Sequence, residues 1–285
     1  MGQMQEYTTI TTKPMLELLS YPFMQRALLS GVIISLVLGW LGTFIISRKM
    51  SFIGDGIAHA SLGGIALAII LGIAPLPTAL VFGVVLAIIL FFIEQKTNVS
   101  QDAAIGLLFT TSMATGIILM HFHEGYQPEL MSYLFGNILA INTTDLWAIG
   151  GVGVGVLALL SVFNRQMTFI TFDKDGAYLS GISPARYDLA FYIITALAII
   201  VSVKLVGIIL VSALIITPSA AAKLVAPSFS AFQKIAMSIA FIMTVVGLVL
   251  SYYLDLPSGA LIILVGSALF ILMSMFKSLK VNRKS

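Results

Sequence analysis

Asp55 and His59 lie four residues apart in the stretch RKMSFIGDGIAHASLGG, Arg48–Gly64. On a helix, side chains at that spacing share one face, with roughly 6 Å between them. A carboxylate oxygen beside an imidazole nitrogen suits a divalent zinc, manganese or iron ion and suits an alkali ion poorly. Glycines at 54, 56, 63 and 64 would let neighbouring backbones approach closely around the pair. Two side chains do not complete a coordination shell, so further donors would come from another segment or a second subunit. The competing structural roles are a helix cap for Asp55 and an inter-helix hydrogen bond for His59. Spacing alone leaves both open.

Two other groups carry weaker signals. His121, His123 and Glu124, in HFHE, could gather a metal if the chain is extended there. A solvated loop that tolerates polar residues is the simpler reading, and a docking surface for an extracellular partner is a third. In Lys204–Pro227, Pro218 follows Thr217 and precedes Ser219, Ala220, Ala221, Ala222 and Lys223. A proline-started short helix with a small-residue face could seat in a cytoplasmic partner's groove. A kinked membrane helix ending at the interface is an equally ordinary reading. Met113 and Met120 are assigned to packing, Gly151 and Gly155 to helix contact, and Trp147, Tyr252 and Tyr253 to an aromatic belt. The sequence holds no G-x-x-x-x-G-K-[ST], no HExxH and no Ser/His/Asp arrangement, so neither ATP hydrolysis nor hydrolytic catalysis is expected of the chain itself. No catalytic residues are assigned.

The elements that must position these residues follow from composition. Of 285 residues, 59% are hydrophobic and 9% charged, whereas soluble domains carry about 25% charged residues. So little charge cannot coat a water-facing surface, and the apolar excess must face lipid: the fold class is an all-α integral membrane protein. With no cysteine, disulfides and thiolate metal sites are excluded. Apolar runs long enough to cross a bilayer fall near 27–47, 53–73, 76–93, 103–120, 145–164, 188–204, 206–223, 231–253 and 258–276. The sixth and seventh are short and nearly continuous, so nine spans, or eight plus a broken helix, are expected. The chain reads as a single transmembrane domain over 1–285: an interfacial N-terminal segment (1–25), a membrane core (26–276) and a basic tail (277–285). Residues Met1–Ser20 lack the basic and apolar regions of a cleavable signal peptide.

Charge distribution sets the orientation. Arg48, Lys49, Lys96, Arg165, Lys174, Arg186, Lys223, Lys234, Lys277, Lys280, Arg283 and Lys284 fall on one side of the nine-span layout. Only Lys13, Arg26 and Lys204 fall on the other. Basic residues stay on the cytoplasmic side, which places the C-terminus inside and the N-terminus outside. The net charge of +3 is therefore a topology signal, and nucleic-acid binding has no support. If the second span leaves the inner surface near Arg48, Asp55 lies about 10 Å deep and His59 about 16 Å deep. Asp55 is then the one acid expected well inside the bilayer, where charged groups usually line a binding site or an aqueous path.

Arg48–Ile73 resembles the signature of the metal-importing ABC permease family, the membrane subunits of bacterial zinc, manganese and iron uptake systems. LMSYLFGNILAI (Leu130–Ile141), VGIILVSALIITPSAAAKLVA (Val206–Ala226) and DLPSG (Asp255–Gly259) agree with it in order, so the resemblance runs from about Met24 to Phe276. It implies a type II importer of the bacterial cytoplasmic membrane: a homodimeric pore, a pair of cytoplasmic ATPase subunits and an extracytoplasmic metal-binding protein. It also implies that Asp55 and His59 belong to the translocation path. Thr217–Pro227 would be the coupling segment that meets the ATPase. AHASLGG looks more like the zinc systems, whereas manganese members more often read SHAVLPG there. The expected cargo is Zn²⁺, with Mn²⁺ or Fe²⁺ as alternatives, and no permanently bound cofactor is expected. A proton-coupled secondary metal transporter and a membrane-embedded metalloenzyme are the competing classes.

Overall fold

The computed structural model describes residues 20–97, 99–122, 136 and 141–282. Its described elements are helical: α1 (Pro22–Ser47), α2 (Ile53–Leu71), α3 (Pro75–Lys96), α4 (Gln101–His121), α5 (Thr143–Phe172), the short α6 (Lys174–Leu179), α7 (Pro184–Val206), α8 (Ile208–Val225), α9 (Phe229–Leu254) and α10 (Ser258–Asn282). Among the described residues eight of these helices are long and apolar enough to cross a membrane, and in α8 a shorter apolar helix runs over Val211–Val225.

The ends of these helices follow local chemistry. Pro22, Pro75 and Pro184 stand in the first turns of α1, α3 and α7, where a missing N–H costs nothing. Ser100 and Ser228 accept from Ala103 N and Ala231 N, capping α4 and α9. Asn142 and Asp145 form a reciprocal capping box at the start of α5. The box starts α5 two residues before the expected 145–164, and the helix then runs eight residues past it, to Phe172, for 30 residues in all. Of the expected interfacial segment 1–25, residues 22–25 form the first turn of α1, and 1–19 lie outside the described residues. In the expected basic tail, α10 continues through Asn282.

Packing depends on close helix approach. Gly63 of α2 lies against Ser112 and Gly116 of α4, and Ser112 Oγ donates across to the Ala60 carbonyl at 2.7 Å. On α1, Gly39 meets α9 at Ala236 and Ala240, while Gly42 meets the Ile215 carbonyl oxygen and Ser219 of α8. Without side chains at these points the backbones can touch, which is how apolar helices associate when lipid offers no hydrophobic contrast. A continuous core follows, with Leu38, Leu41, Phe44, Ile57, Ile65, Phe191, Ile199, Val211 and Ile215 among its members. Gly151 and Gly155, expected to make a helix contact, have open space beside them; Gly153 makes the close approach instead, to Ile33.

The α7–α8 region decides between the two expected layouts. The two helices are separate, but α7 is a full-length span and α8 has 18 residues. Their joint is Gly207, whose φ of 87° is open to glycine at little steric cost. Pro218 lies inside α8 and does not start a new helix. Membrane helices tolerate an interior proline where neighbours cover the freed backbone group.

Candidate metal path

Asp55 is the third residue of α2 and His59 lies one turn further along. Because 48–52 form a turn and not helix, Asp55 sits about 3 Å and His59 about 9 Å along the axis from the first helical residue. The depths of 10 and 16 Å assumed helix from Arg48 onward, so the pair lies nearer the start of its helix than the spacing argument placed it. Asp55 lies in the first turn, where the positive end of the helix dipole favours a carboxylate.

His59 Nδ1 lies 2.9 Å from the Asp55 carbonyl oxygen. A carbonyl only accepts, so Nδ1 carries the proton. In the neutral ring, Nε2 then holds a lone pair available to a metal. The Phe109 ring meets the imidazole edge-on at 5.2 Å, which fixes its plane. Both Asp55 and His59 are half-buried, while Gly54, Gly56, Ile57, Ala58 and Ala60 around them are buried. Gly56 is required here, since a β-carbon would strike the Ile105 side chain of α4. Among the described residues no three His, Cys, Asp or Glu side chains gather. The pair thus offers one oxygen and one nitrogen donor on one face.

His121 is the last residue of α4, exposed, with its ring against Phe122. Twelve residues separate it from Phe109, about 18 Å along α4, so it does not join the Asp55/His59 pair. His123 and Glu124 lie outside the described residues. His121→Ala should therefore leave metal uptake within about twofold of wild type; a large loss of apparent affinity in a transport assay would instead place His121 on the path.

Thr217, Pro218, Ser219, Ala220, Ala221, Ala222 and Lys223 all lie within α8. Ser219, Ala221 and Ala222 are fully buried, the last two against Phe232, Ala236 and Ile239 of α9. Lys223 is the exposed member of this group.

Polar pairs that sequence spacing could not reveal tie the helices together. Arg48 Nη1 and Lys174 Nζ each approach Asp188 at 2.9 Å, and Arg48 Nε donates to Thr171 Oγ1 at 3.0 Å. Tyr192 O–H donates to Glu94, which also accepts from Gln101 at 2.5 Å. Lys204 pairs with the buried Asp145 at 2.5 Å. Asp145 and Asp188 are thus more deeply buried than Asp55, each neutralised by a basic partner.

Among the described residues, eight helices long and apolar enough to cross a membrane pack around an apolar core with polar pairs between them, and so define an α-helical multi-pass membrane protein. The chain belongs to the ABC 3 transport family, whose model matches residues 20–277. It is 36% identical, over 91% of its length and 89% of the relative's, to the manganese transport system membrane protein MntC of Halalkalibacterium halodurans. It is 33% identical, over 88% of its length and 96% of the relative's, to the high-affinity zinc uptake system membrane protein ZnuB of Haemophilus influenzae. Its fold is similar to the solved structure of PsaBC from Streptococcus pneumoniae in complex with Fab, at a TM-score of 0.79 and 34% identity, with 90% of this chain and 92% of that one covered. The protein is accordingly a metal-transport permease subunit, a multi-pass component of the bacterial inner membrane.

Proposed function

We propose that this permease imports Mn²⁺ or Zn²⁺ by alternating access, as a homodimer driven by a pair of cytoplasmic ATPase subunits and supplied by an extracytoplasmic metal-binding protein. The observation that carries the proposal is the His59 imidazole, anchored through Nδ1 to the Asp55 carbonyl, one helical turn from the Asp55 carboxylate. Carboxylate suits manganese and imidazole suits zinc as well as other borderline ions, so one mixed pair serves either. AHASLGG favoured zinc, whereas relatives named for manganese stand beside one named for zinc. A second copy of the chain would supply a second Asp–His pair and complete a four-donor shell.

The drive enters at the end of the bundle that carries Arg48, Lys174 and Lys223, the inner side by charge distribution. Most of Thr217–Ala222 is buried, so this proposal keeps Lys223 and adds α6. On α6, Tyr178 is 70% and Leu179 85% exposed, while Ala177 anchors it to the bundle. Apolar side chains held out at an inner loop suit the groove of an ATPase subunit.

With its ATPase and binding protein in vesicles, the permease should take up manganese only with ATP. Excess Zn²⁺ should compete and Mg²⁺ or Ca²⁺ should not. Uptake that persists without the ATPase, driven by a pH gradient, would overturn the reading in favour of proton coupling.

A further inference from the structure

Arg48, Asp188 and Lys174 connect two parts of the molecule that the proposed function needs to move together. Lys174 is the first residue of α6. Asp188 lies near the start of α7 and receives Lys174 Nζ on Oδ2 and Arg48 Nη1 on Oδ1. Arg48 caps the C-terminus of α1 and opens the turn that leads into α2, seven residues before Asp55.

That turn is stiff. Met50 N bonds the Ile45 carbonyl and Ile53 N bonds the Met50 carbonyl, both at 3.0 Å, and Met50 and Ile53 are buried. Arg48 itself is held from three further sides, by Thr171 Oγ1, by Asp188 and by the Phe191 ring 4.4 Å below its guanidinium carbon. A displacement of Asp188 relative to α1 therefore cannot be absorbed locally by Arg48. It must move the turn, and with it the first turn of α2.

The two halves of the triad differ in strength in a useful way. Side-chain exposure is 12% for Arg48 and 11% for Asp188, but 54% for Lys174. A buried charge pair is costly to part, whereas a half-exposed one is cheap to make and break. Beside them lies a cavity of about 320 Å³ lined by Arg48, Lys174, Asp188, Glu94, Gln101 and Tyr192, and Arg48 Nη2 has no protein partner. The Lys174–Asp188 contact thus has free volume beside it in which to part, while Arg48–Asp188 stays closed.

We infer that Arg48, Asp188 and Lys174 are positioning residues that pass movement of α6 to the helix carrying Asp55 and His59, with Lys174–Asp188 as the contact that opens and closes. This rests on the proposed function, because α6 is taken there as the ATPase-facing element. The chemistry is conformational: no group is transferred and no bond breaks.

The test compares Lys174→Ala, Lys174→Arg and Asp188→Asn in the assembled complex, reading ATP hydrolysis, metal uptake and metal binding to the permease separately. In Lys174→Ala, uptake per ATP should fall about tenfold, near the upper part of the range for coupling residues. Hydrolysis and Mn²⁺ affinity should stay at wild-type levels, and Lys174→Arg should restore coupling. Lys174→Ala added to Asp188→Asn should cause no further loss, since the contact is already gone. Unchanged uptake per ATP in Lys174→Ala would overturn the inference. So would a parallel fall of assembly, hydrolysis and uptake, which marks a merely structural role. If the wild-type complex itself shows no ATP-dependent uptake, the functional reading fails first and takes this inference with it.

Discussion

Asp55→Asn and His59→Ala should each reduce metal uptake to the background of vesicles that lack the permease, while the protein still inserts and purifies at wild-type yield. Each change removes one of the two donors on the α2 face. Asp55→Asn leaves packing unchanged, and His59→Ala removes one ring contact, to Phe109, from a half-buried position whose buried neighbours are unchanged. Asn keeps the shape of Asp55 but loses the charge that offsets a divalent ion. Ala at 59 removes both the Nε2 donor and the Nδ1 bond that fixes its tautomer. His59→Gln separates these effects, since it keeps polarity without an imidazole lone pair, and it should be as inactive as the alanine variant. Uptake measured with radioactive manganese and with zinc, beside size-exclusion profiles of the tagged protein, decides the matter. Near-normal uptake in both single variants would remove the pair from the path.

The second large effect is structural. Gly42→Leu should lower stability by about 2–3 kcal/mol or more, the scale of overpacking a filled core. Even a methyl group at this position meets the Ile215 carbonyl oxygen and Ser219 Oγ. A carbonyl oxygen in a helix cannot step aside as a flexible side-chain end can, so α1 and α8 would have to part. Gly151→Ala is the contrast. That site has open space around it, and replacing a mid-helix glycine by alanine gains up to about 1 kcal/mol in propensity. Thermal unfolding in detergent should show a clear drop in midpoint for the first and none for the second. Equal midpoints for Gly42→Leu and wild type would mean that the close contact between α1 and α8 is not needed.

The class of fold was legible because membrane helices announce themselves by composition: every described helix long enough to span begins within a few residues of an apolar run seen in the sequence. The ends were less legible, since they were set by single caps such as Pro184 and the Asn142/Asp145 box. Asp55 and His59 could be grouped because a four-residue spacing is a local geometric fact. Arg48 and Asp188, 140 residues apart, could not be, because only the tertiary fold brings them together. Pro218 stayed open between two readings for the opposite reason. Its local preference is to begin a helix, and packing against α9 on one side and α1 on the other carries α8 through it. Burial of Ser219, Ala221 and Ala222 is likewise a tertiary outcome that small residues in a row do not reveal, for such residues serve a partner's groove and a neighbouring helix equally well.

The joint at Gly207 sets a limit on how this chain can be altered. Val206, Gly207 and Ile208 are all buried, and Gly136 is laid so closely on them that a β-carbon there would strike the Val206 carbonyl carbon. Between α9 and α10, by contrast, Asp255, Leu256 and Pro257 are exposed. An epitope tag or a single inserted residue should therefore be accepted at 255–257 and rejected at 207, although both are short breaks between apolar runs. Length variation among descendants of this chain would accumulate at the first place and be purged at the second, leaving α7 and α8 to drift as one inseparable unit.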